Sequence, residues 1–567
     1  MSEVITDSGD SFTRTAGRQL FILALLGLLG FIVLALLLGW LSKVTSGGNA
    51  LAEAVDPLTG TITLATSSEP PQLDSTRATD QVSGFVLGHV MESLLRRGPG
   101  TKLIPGVAER WEINETGATF WLRDTARWSD GKPVTAHDFV FAWRKVVDPA
   151  NASEYAFFLY PLKNAERINV GEMPVESLGV RAVDDRTLVI DFERPTPYFE
   201  KLVVYNTYGP VRQDFYESLN GRYGADTDTL LYNGPFRITN WVHGAHLRLE
   251  KNPHYWDADS VKLNVIDLPY FTSDPNAVLN LYKDGKIAQA GLVSETLDNA
   301  LEHDWPIRRF NDGAVYYLEF NFRPGHVTAN LNLRKALQLS SDSSELVYKV
   351  MKLPGNLPGV SLFPAWLQGV HGLFRVEYPA EPPRVDIAEA RRHLAAAKQE
   401  LGVDTLPPLV LLTGDDPTSN TQAEYFQNVF KRTLGLDVKI DKQIFKQRLA
   451  KMTAGEFDMV AAGWGPDYDD PLTFGDLFSS WNKNNRGAYS NPELDHLVRI
   501  AQSSLDPKTR MDAFGGIQKI IHDDVVILPN YERGVVYVRD PRLKGVERRV
   551  VGADPDYTGA YIEGTRE

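Results

Sequence analysis

Hydrophobic positions open this chain with one long block. Residues 20–41 are uncharged and mostly Leu, Ile, Val and Phe. At ~1.5 Å per helical residue such a run spans the ~30 Å hydrocarbon core of a bilayer, which predicts one transmembrane helix. A cleaved signal is the alternative, although its apolar stretch is normally about 7 to 15 residues. Arg14 and Arg18 precede the run and Lys43 follows it. That bias directs residues 1–19 toward the cytoplasm and the body outside. Residues 42–57 are small and polar and read as a tether, with order expected from about Thr61. Beyond it the pattern changes to short, mixed periods. Ile62 and Leu64 alternate with threonines as in a strand, and 82–95 carries apolar residues at helical spacing. The same reading predicts strands at 187–192 and 409–412 and helices at 387–399 and 422–433. Proline-rich segments at 357–364 and 379–383 read as surface connections.

With 567 residues the chain exceeds what one hydrophobic core supports, so two large lobes are expected. Hydrophobic residues at 43%, charged residues at 23% and aromatics at 10% describe a folded α/β body. A net charge of -14 with no dense Lys/Arg block argues against nucleic acid as a partner. The absence of cysteine excludes disulfides, thiolate metal sites, cysteine nucleophiles and a lipid-modified N-terminal cysteine.

One ordered set of segments is more informative. It begins with Ala108 and Trp111, continues through Phe120-Trp121-Leu122-Arg123 and Trp128-Ser129-Asp130-Gly131, and ends in Pro133-Val134-Thr135-Ala136 and Asp138-Phe139. Asp130-Gly131 is turn chemistry, and Thr135 with Asp138 suits the start of a helix. These residues read as a scaffold and not as a ligand site. Together they resemble the signature of the family 5 solute-binding proteins, oligopeptide branch. The resemblance continues through 151–160, 177–199, 233–257, 316–321, 333–339, 457–478 and 527–531, and so covers the chain from about Thr61 onward.

The resemblance implies a type II (class C) periplasmic-binding-protein-like fold, a two-lobed clamp with an inserted third subdomain. Lobe I comprises 58–91, 218–314 and 533–567, the inserted subdomain 92–217, and lobe II 315–532. Such clamps close on an extended peptide by hinge motion. The expected function is extracytoplasmic capture of short peptides, by a monomer, for delivery to an ABC permease and its ATPase. The alternative is a membrane-anchored peptide sensor or chaperone-like protein uncoupled from import. Binding is the expected chemistry, not catalysis, and no cofactor or metal is called for.

A receptor for varied peptides must grip the backbone and the terminal charges, and a buried ammonium needs a carboxylate. By the resemblance that carboxylate is Asp467, in Ala462-Gly463-Trp464-Gly465-Pro466-Asp467. Trp464 would wall a side-chain pocket and the Gly463 main chain would pair with the peptide. Tyr317, Glu319 and Phe445 fall where the family turns residues toward the cleft, and Tyr155 and Phe158 on the inserted subdomain are further candidates. The chain departs from the pattern at Ala461 and Met452, where arginines that meet a peptide carboxylate are usual.

Enzymatic motifs are missing from the sequence: no H-E-x-x-H, G-x-S-x-G, Walker A loop, or G-x-G-x-x-G after a strand. His243, His246 and His254 cluster in a segment expected to be hairpin and strand. The acidic run Asp467, Asp469, Asp470 and Asp476 fails the EF-hand template at Pro471.

Overall fold

The computed structural model describes residues 54–99 and 102–564, apart from the side chains of Phe445 and Lys446. The predicted span at 20–41 lies outside them. Among the described residues no helix is long and apolar enough to cross a membrane.

Order begins earlier than the polar character of 42–57 suggested. β1 (Val55–Asp56) pairs antiparallel with β2 (Thr61–Thr66). Ala54 N donates to Gly285 O at 3.0 Å and Ala54 O accepts from Thr63 N at 2.8 Å. Val55 is fully buried, so residues 54–57 belong to the body and not to a tether. The helix Gln81–Val90 follows, capped by Asp80, whose side chain accepts from Ser83 N. It stops short of the expected Leu95. Val90 O accepts from Gly234 N, and Asn233 makes two bonds to the Glu92 backbone. A Cβ on Gly234 would lie 2.6 Å from Met91 N, so only glycine permits this approach. The apolar residues past Val90 are buried in extended chain, beginning β3 (Leu95–Arg97), which pairs with β4 (Leu103–Pro105).

β5 (Ala108–Ile113), β6 (Gly117–Leu122), β7 (Val180–Asp184) and β8 (Thr187–Asp191) form a four-stranded sheet in the order β5-β6-β8-β7. Gly131 takes φ +87° in the turn after Asp130. The helix Ala136–Val147 starts at Thr135, whose N–H donates to Asp138 Oδ2 at 2.8 Å, while the Trp128 indole donates to the same oxygen at 3.1 Å. Trp128, Phe139 and Trp143 are fully buried, so the signature residues hold the core together.

β9 (Phe236–Val242), β10 (His246–Lys251) and β11 (Val265–Phe271) complete the first sheet, ordered β1-β2-β11-β10-β9. His243 and His246 lie in this hairpin, where His243 meets Glu69 and His246 meets Asp267. A seven-stranded sheet contains β12 (Gln289–Leu292), β13 (Arg308–Phe320), β14 (Leu357–Pro358), β15 (Leu409–Gly414), β16 (Val438–Gln443), β17 (Met459–Trp464) and β18 (Ile527–Arg539). Its order is β12-β18-β13-β17-β15-β16, with β14 on β18. The predicted helices occur as Ile387–Leu401 and Pro417–Leu434. Residues 379–383 lie at the surface, whereas 357–364 does not behave as a surface connection. β14 joins the sheet, and Ser361, Leu362 and Phe363 are buried. Its prolines had suggested exposure, but Gly359 N donates to Asn530 O and draws the segment inward.

Candidate functional site

The site grows from the pairing of β13 with β17. Tyr316 lies opposite Gly463, Tyr317 opposite Ala462, and Glu319 opposite Val460. On its other side β17 pairs with β15 only through Met459 and Val460. β15 then stays with β16 as far as Gly414. Residues 461–464 therefore have one edge without a strand partner among the described residues. Ala461 O accepts from the Arg448 guanidinium at 3.3 Å. Backbone groups alternate in direction along a strand, so the Gly463 N–H and C=O face the same edge. Gly463 is exposed, and Tyr316 packs so closely that a Cβ would come within 2.8 Å of its ring.

From Trp464 the chain enters a loop rich in carboxylates. The half-buried Trp464 donates its indole N–H to Thr473 Oγ1 at 3.4 Å, and Asp467 N donates to the same oxygen at 3.1 Å. Asp470 is fully compensated. Arg510 grips its two oxygens at 2.7 and 2.5 Å, Lys201 approaches at 3.5 Å, and these cations hold its pKa below the ordinary aspartate range despite burial. Asp467 has no such cation. Burial pushes its pKa up to about 7, opposed only by a hydrogen bond from Tyr155. Asp476 is likewise raised to about 7, by burial first and then by the field of Asp467. An unpaired carboxylate out of bulk water is costly, so this corner is poised to take up a proton or an ammonium.

Tyr155 reaches this corner from the segment 92–217. Its hydroxyl lies 3.4 Å from Asp467 Oδ1 and 3.3 Å from Thr79 O, and its single proton serves one of them at a time. Burial raises its pKa far above the usual tyrosine range, so it remains a donor. Phe158 forms the floor beneath it. Its ring is 4.8 Å from Tyr155, 5.2 Å from Tyr205 and 6.0 Å from Tyr468, and it is only 3% exposed. Tyr468 stacks on Tyr198 at 5.8 Å.

The structure thus brings Asp467, Trp464, Gly463 and Tyr155 together, with Phe158 behind them. Tyr317 is buried, its ring 6.0 Å from Phe478. Glu319 is buried deeper in the same strand, where Oε1 accepts from Gly487 N at 2.5 Å and burial lifts its pKa to about 7. That bond ties Gly487 to β13. Phe445 opens the helix Phe445–Ala454, and its side chain lies outside the described residues. Ala461 and Met452 are both buried. Sequence reasoning missed Thr79, Thr473, Tyr205 and Tyr468, which are scattered along the chain and carry no motif of their own. A cavity of about 410 Å³ beside Ser361, Tyr378 and Gln518 contains none of the predicted residues.

The sequence pattern of bacterial extracellular solute-binding proteins, family 5, matches residues 102–486, and the chain belongs to that family. It is 32% identical over 502 residues to the oligopeptide-binding protein OppA of Bacillus subtilis, covering 86% of this chain and 90% of that one. Among solved structures it resembles the substrate-binding domain of an oligopeptide ABC transporter from Bacillus anthracis (TM-score 0.79, 33% identity, 89% of this chain and 99% of that one). It also resembles peptide-bound OppA of Listeria monocytogenes (TM-score 0.78, 31% identity, 89% and 99%).

Proposed function

We propose that this protein captures short peptides outside the cytoplasmic membrane and delivers them to an ABC permease and its ATPase, acting as a monomeric receptor and not as an enzyme. The observation that carries the reading is Asp467, a desolvated carboxyl without a cationic partner, next to the open edge of β17. The α-ammonium of a peptide supplies the missing cation, and the first residues of its backbone extend the sheet at Gly463. Trp464 walls the first side-chain pocket. Tyr155 closes the corner from the opposite side, with Phe158 as its support. Tyr317, Glu319 and Phe445 are assigned to the periphery of the site. The relatives named for oligopeptide binding and the ABC substrate-binding domain support this function. We assign lobe I to 58–91, 218–314 and 533–567, the inserted subdomain to 92–217 and lobe II to 315–532. Residues 20–41 are assigned as a single-pass anchor that keeps the body at the outer face of the membrane.

The test is native mass spectrometry of the body, purified from cells without denaturation and then denatured to release its ligand. A ladder of short peptides of mixed sequence is expected. A single non-peptide compound, or no binding after peptides are added, overturns the reading. In calorimetry Asp467→Ala is expected to cost about 2 to 5 kcal/mol of peptide affinity, and unchanged affinity rejects the site.

A further inference from the structure

The cavity beside Ser361, Tyr378 and Gln518 is separate from the peptide corner. It encloses about 410 Å³, within the range of small-molecule sites. All the described residues that line it lie between Gln338 and Pro529, inside the segment assigned to lobe II. It is therefore not part of a cleft between lobes, and rotation of the lobes leaves it intact.

Two of its walls are the helix Pro507–Asp523 and the segment 377–381, and Tyr378 fixes one to the other. A Cβ on Gly515 would lie 2.7 Å from the Tyr378 ring, so the missing side chain lets that ring lie against the helix. The Tyr378 hydroxyl donates to Asp512 at 2.8 Å, its carbonyl accepts from the Gln518 amide at 3.1 Å, and its ring stacks on Phe374 at 5.1 Å. Because the walls are bonded to each other, the space between them is preformed.

Val360, Leu362, Ile521 and Ile527 give the cavity apolar surface. Gln518 is only 8% exposed, and besides its bond to Tyr378 it accepts from Ser361 Oγ at 2.6 Å. An amide carries two N–H groups and two oxygen lone pairs, so Gln518 keeps one donor and one acceptor. The half-buried Gln338 amide makes no hydrogen bond to any described residue. A few unused polar groups in apolar surroundings are what orient a bound molecule, and one hydroxyl matches the spare donor and acceptor of Gln518. Around the rim four carboxylates, Glu377, Glu381, Asp512 and Asp523, face Lys519 and His522. Glu377 accepts the N–H groups of 370–372, Asp512 holds Lys508 and Asp523 holds Lys519. Glu381 is exposed and pairs with no described residue. The excess at the rim is negative, which favours a cation and disfavours an acid.

We propose that this cavity is a second ligand site, for a small amine whose apolar body ends in a hydroxyl. The hydroxyl meets Gln518, the body lies against Leu362, Ile521 and Ile527, and the ammonium faces Glu381 at the rim. The proposal goes beyond the peptide reading and does not depend on it.

The probe is tyramine, compared with phenethylamine, which lacks the hydroxyl, and tyrosol, which lacks the ammonium, by calorimetry on the whole body. Tyramine is expected to bind about threefold or more tighter than either analogue. An amine can also enter the corner at Asp467, and two variants separate the sites. Asp467→Ala is expected to keep tyramine binding. Ala380→Trp, which puts an indole into the cavity, is expected to weaken it by about tenfold or more while thermal unfolding and peptide affinity stay as in the parent. Glu381→Gln, at an exposed position that does not endanger folding, is expected to remove the preference for tyramine over tyrosol. The proposal fails if tyramine does not bind at millimolar concentration, if either analogue binds as well, or if the preference over tyrosol survives E381Q. Binding lost in Asp467→Ala but kept in A380W places the amine in the peptide corner, which overturns this site and leaves the peptide reading standing.

Discussion

At the scale of the residue, Asp467 and Asp470 show how one loop gives two neighbouring carboxylates different surroundings. They lie three positions apart, Asp470 buried and Asp467 partly buried, but Asp470 has Arg510 and Lys201 while Asp467 has only the hydroxyl of Tyr155. The sign of the resulting pH dependence follows. In the empty receptor Asp467 keeps its proton up to about pH 7, whereas in the unfolded chain it loses it near 3.8. An ammonium ligand requires the carboxylate, so the proton must leave on binding. Peptide affinity is expected to fall by about tenfold per pH unit below 7, as read by calorimetry between pH 7.5 and 5.5. Stability moves the other way. The folded form binds the extra proton between 3.8 and 7, so its stability declines as pH rises through that window. Asp467→Asn is therefore expected to be more stable than the parent at pH 8 and little different at pH 4 in chemical denaturation, while losing peptide affinity. The resemblance around Trp464 pointed to Asp467 before any coordinates, but its missing cation was not legible there, because Arg510 reaches Asp470 from a helix far along the chain. Glu319 illustrates the converse: its bond to Gly487 depends on a segment 168 positions away, which no local pattern reveals.

At the scale of the element, the loop after β17 is only as well placed as the helix behind it. Arg510 lies in the helix Pro507–Asp523 and enters Asp470 bidentately. Replacing it with methionine leaves a buried carboxylate without its counter-charge. Arg510→Met is expected to cost about 3 to 5 kcal/mol of unfolding free energy in urea denaturation. Adding Asp470→Asn is expected to recover part of that loss, the coupling a double-mutant cycle measures. Elements with a clean period were legible from sequence: the strand at 187–191 by alternation and the helix at 387–401 by its apolar face between Asp386 and Gly402. Those with competing tertiary bonds were not. The helix ending at Val90 yields to Asn233 and Gly234, and 357–364 is drawn in by β18. Past Val90 the apolar composition was read correctly and the geometry was not, since burial on all sides removes the periodicity that distinguishes helix from extended chain, while at 357–364 the prolines pointed to a surface connection and the segment is buried.

At the scale of the whole body, two strands of 13 residues connect what the resemblance divides. β13 and β18 pair with each other, and the proposed boundaries at 314/315 and 532/533 fall inside them. Their register shifts between Asn311 and Val315 and again between Tyr316 and Tyr317, which interrupts the ladder within one short stretch. A bulge of this kind is where a paired ribbon bends with least loss of hydrogen bonds, so rotation of the lobes is expected to be absorbed there. Meanwhile Tyr155, Tyr198 and Lys201 in the segment 92–217 already touch the loop at 467–470. At the site proposed above, a peptide bound through Asp467 favours the closed arrangement by as much as it binds that arrangement better. Closure is expected to lower the radius of gyration in small-angle scattering when peptide is added. At a hundredfold excess over Kd, the folded state is expected to gain about 2.7 kcal/mol in denaturation experiments. Asp467→Ala at the same peptide concentration is expected to keep no more than about 0.9 kcal/mol of that gain and a smaller share of the compaction, because its affinity is weaker by about 2 to 5 kcal/mol. A compaction and a stabilisation both undiminished by this substitution would remove Asp467 from the energy of closure.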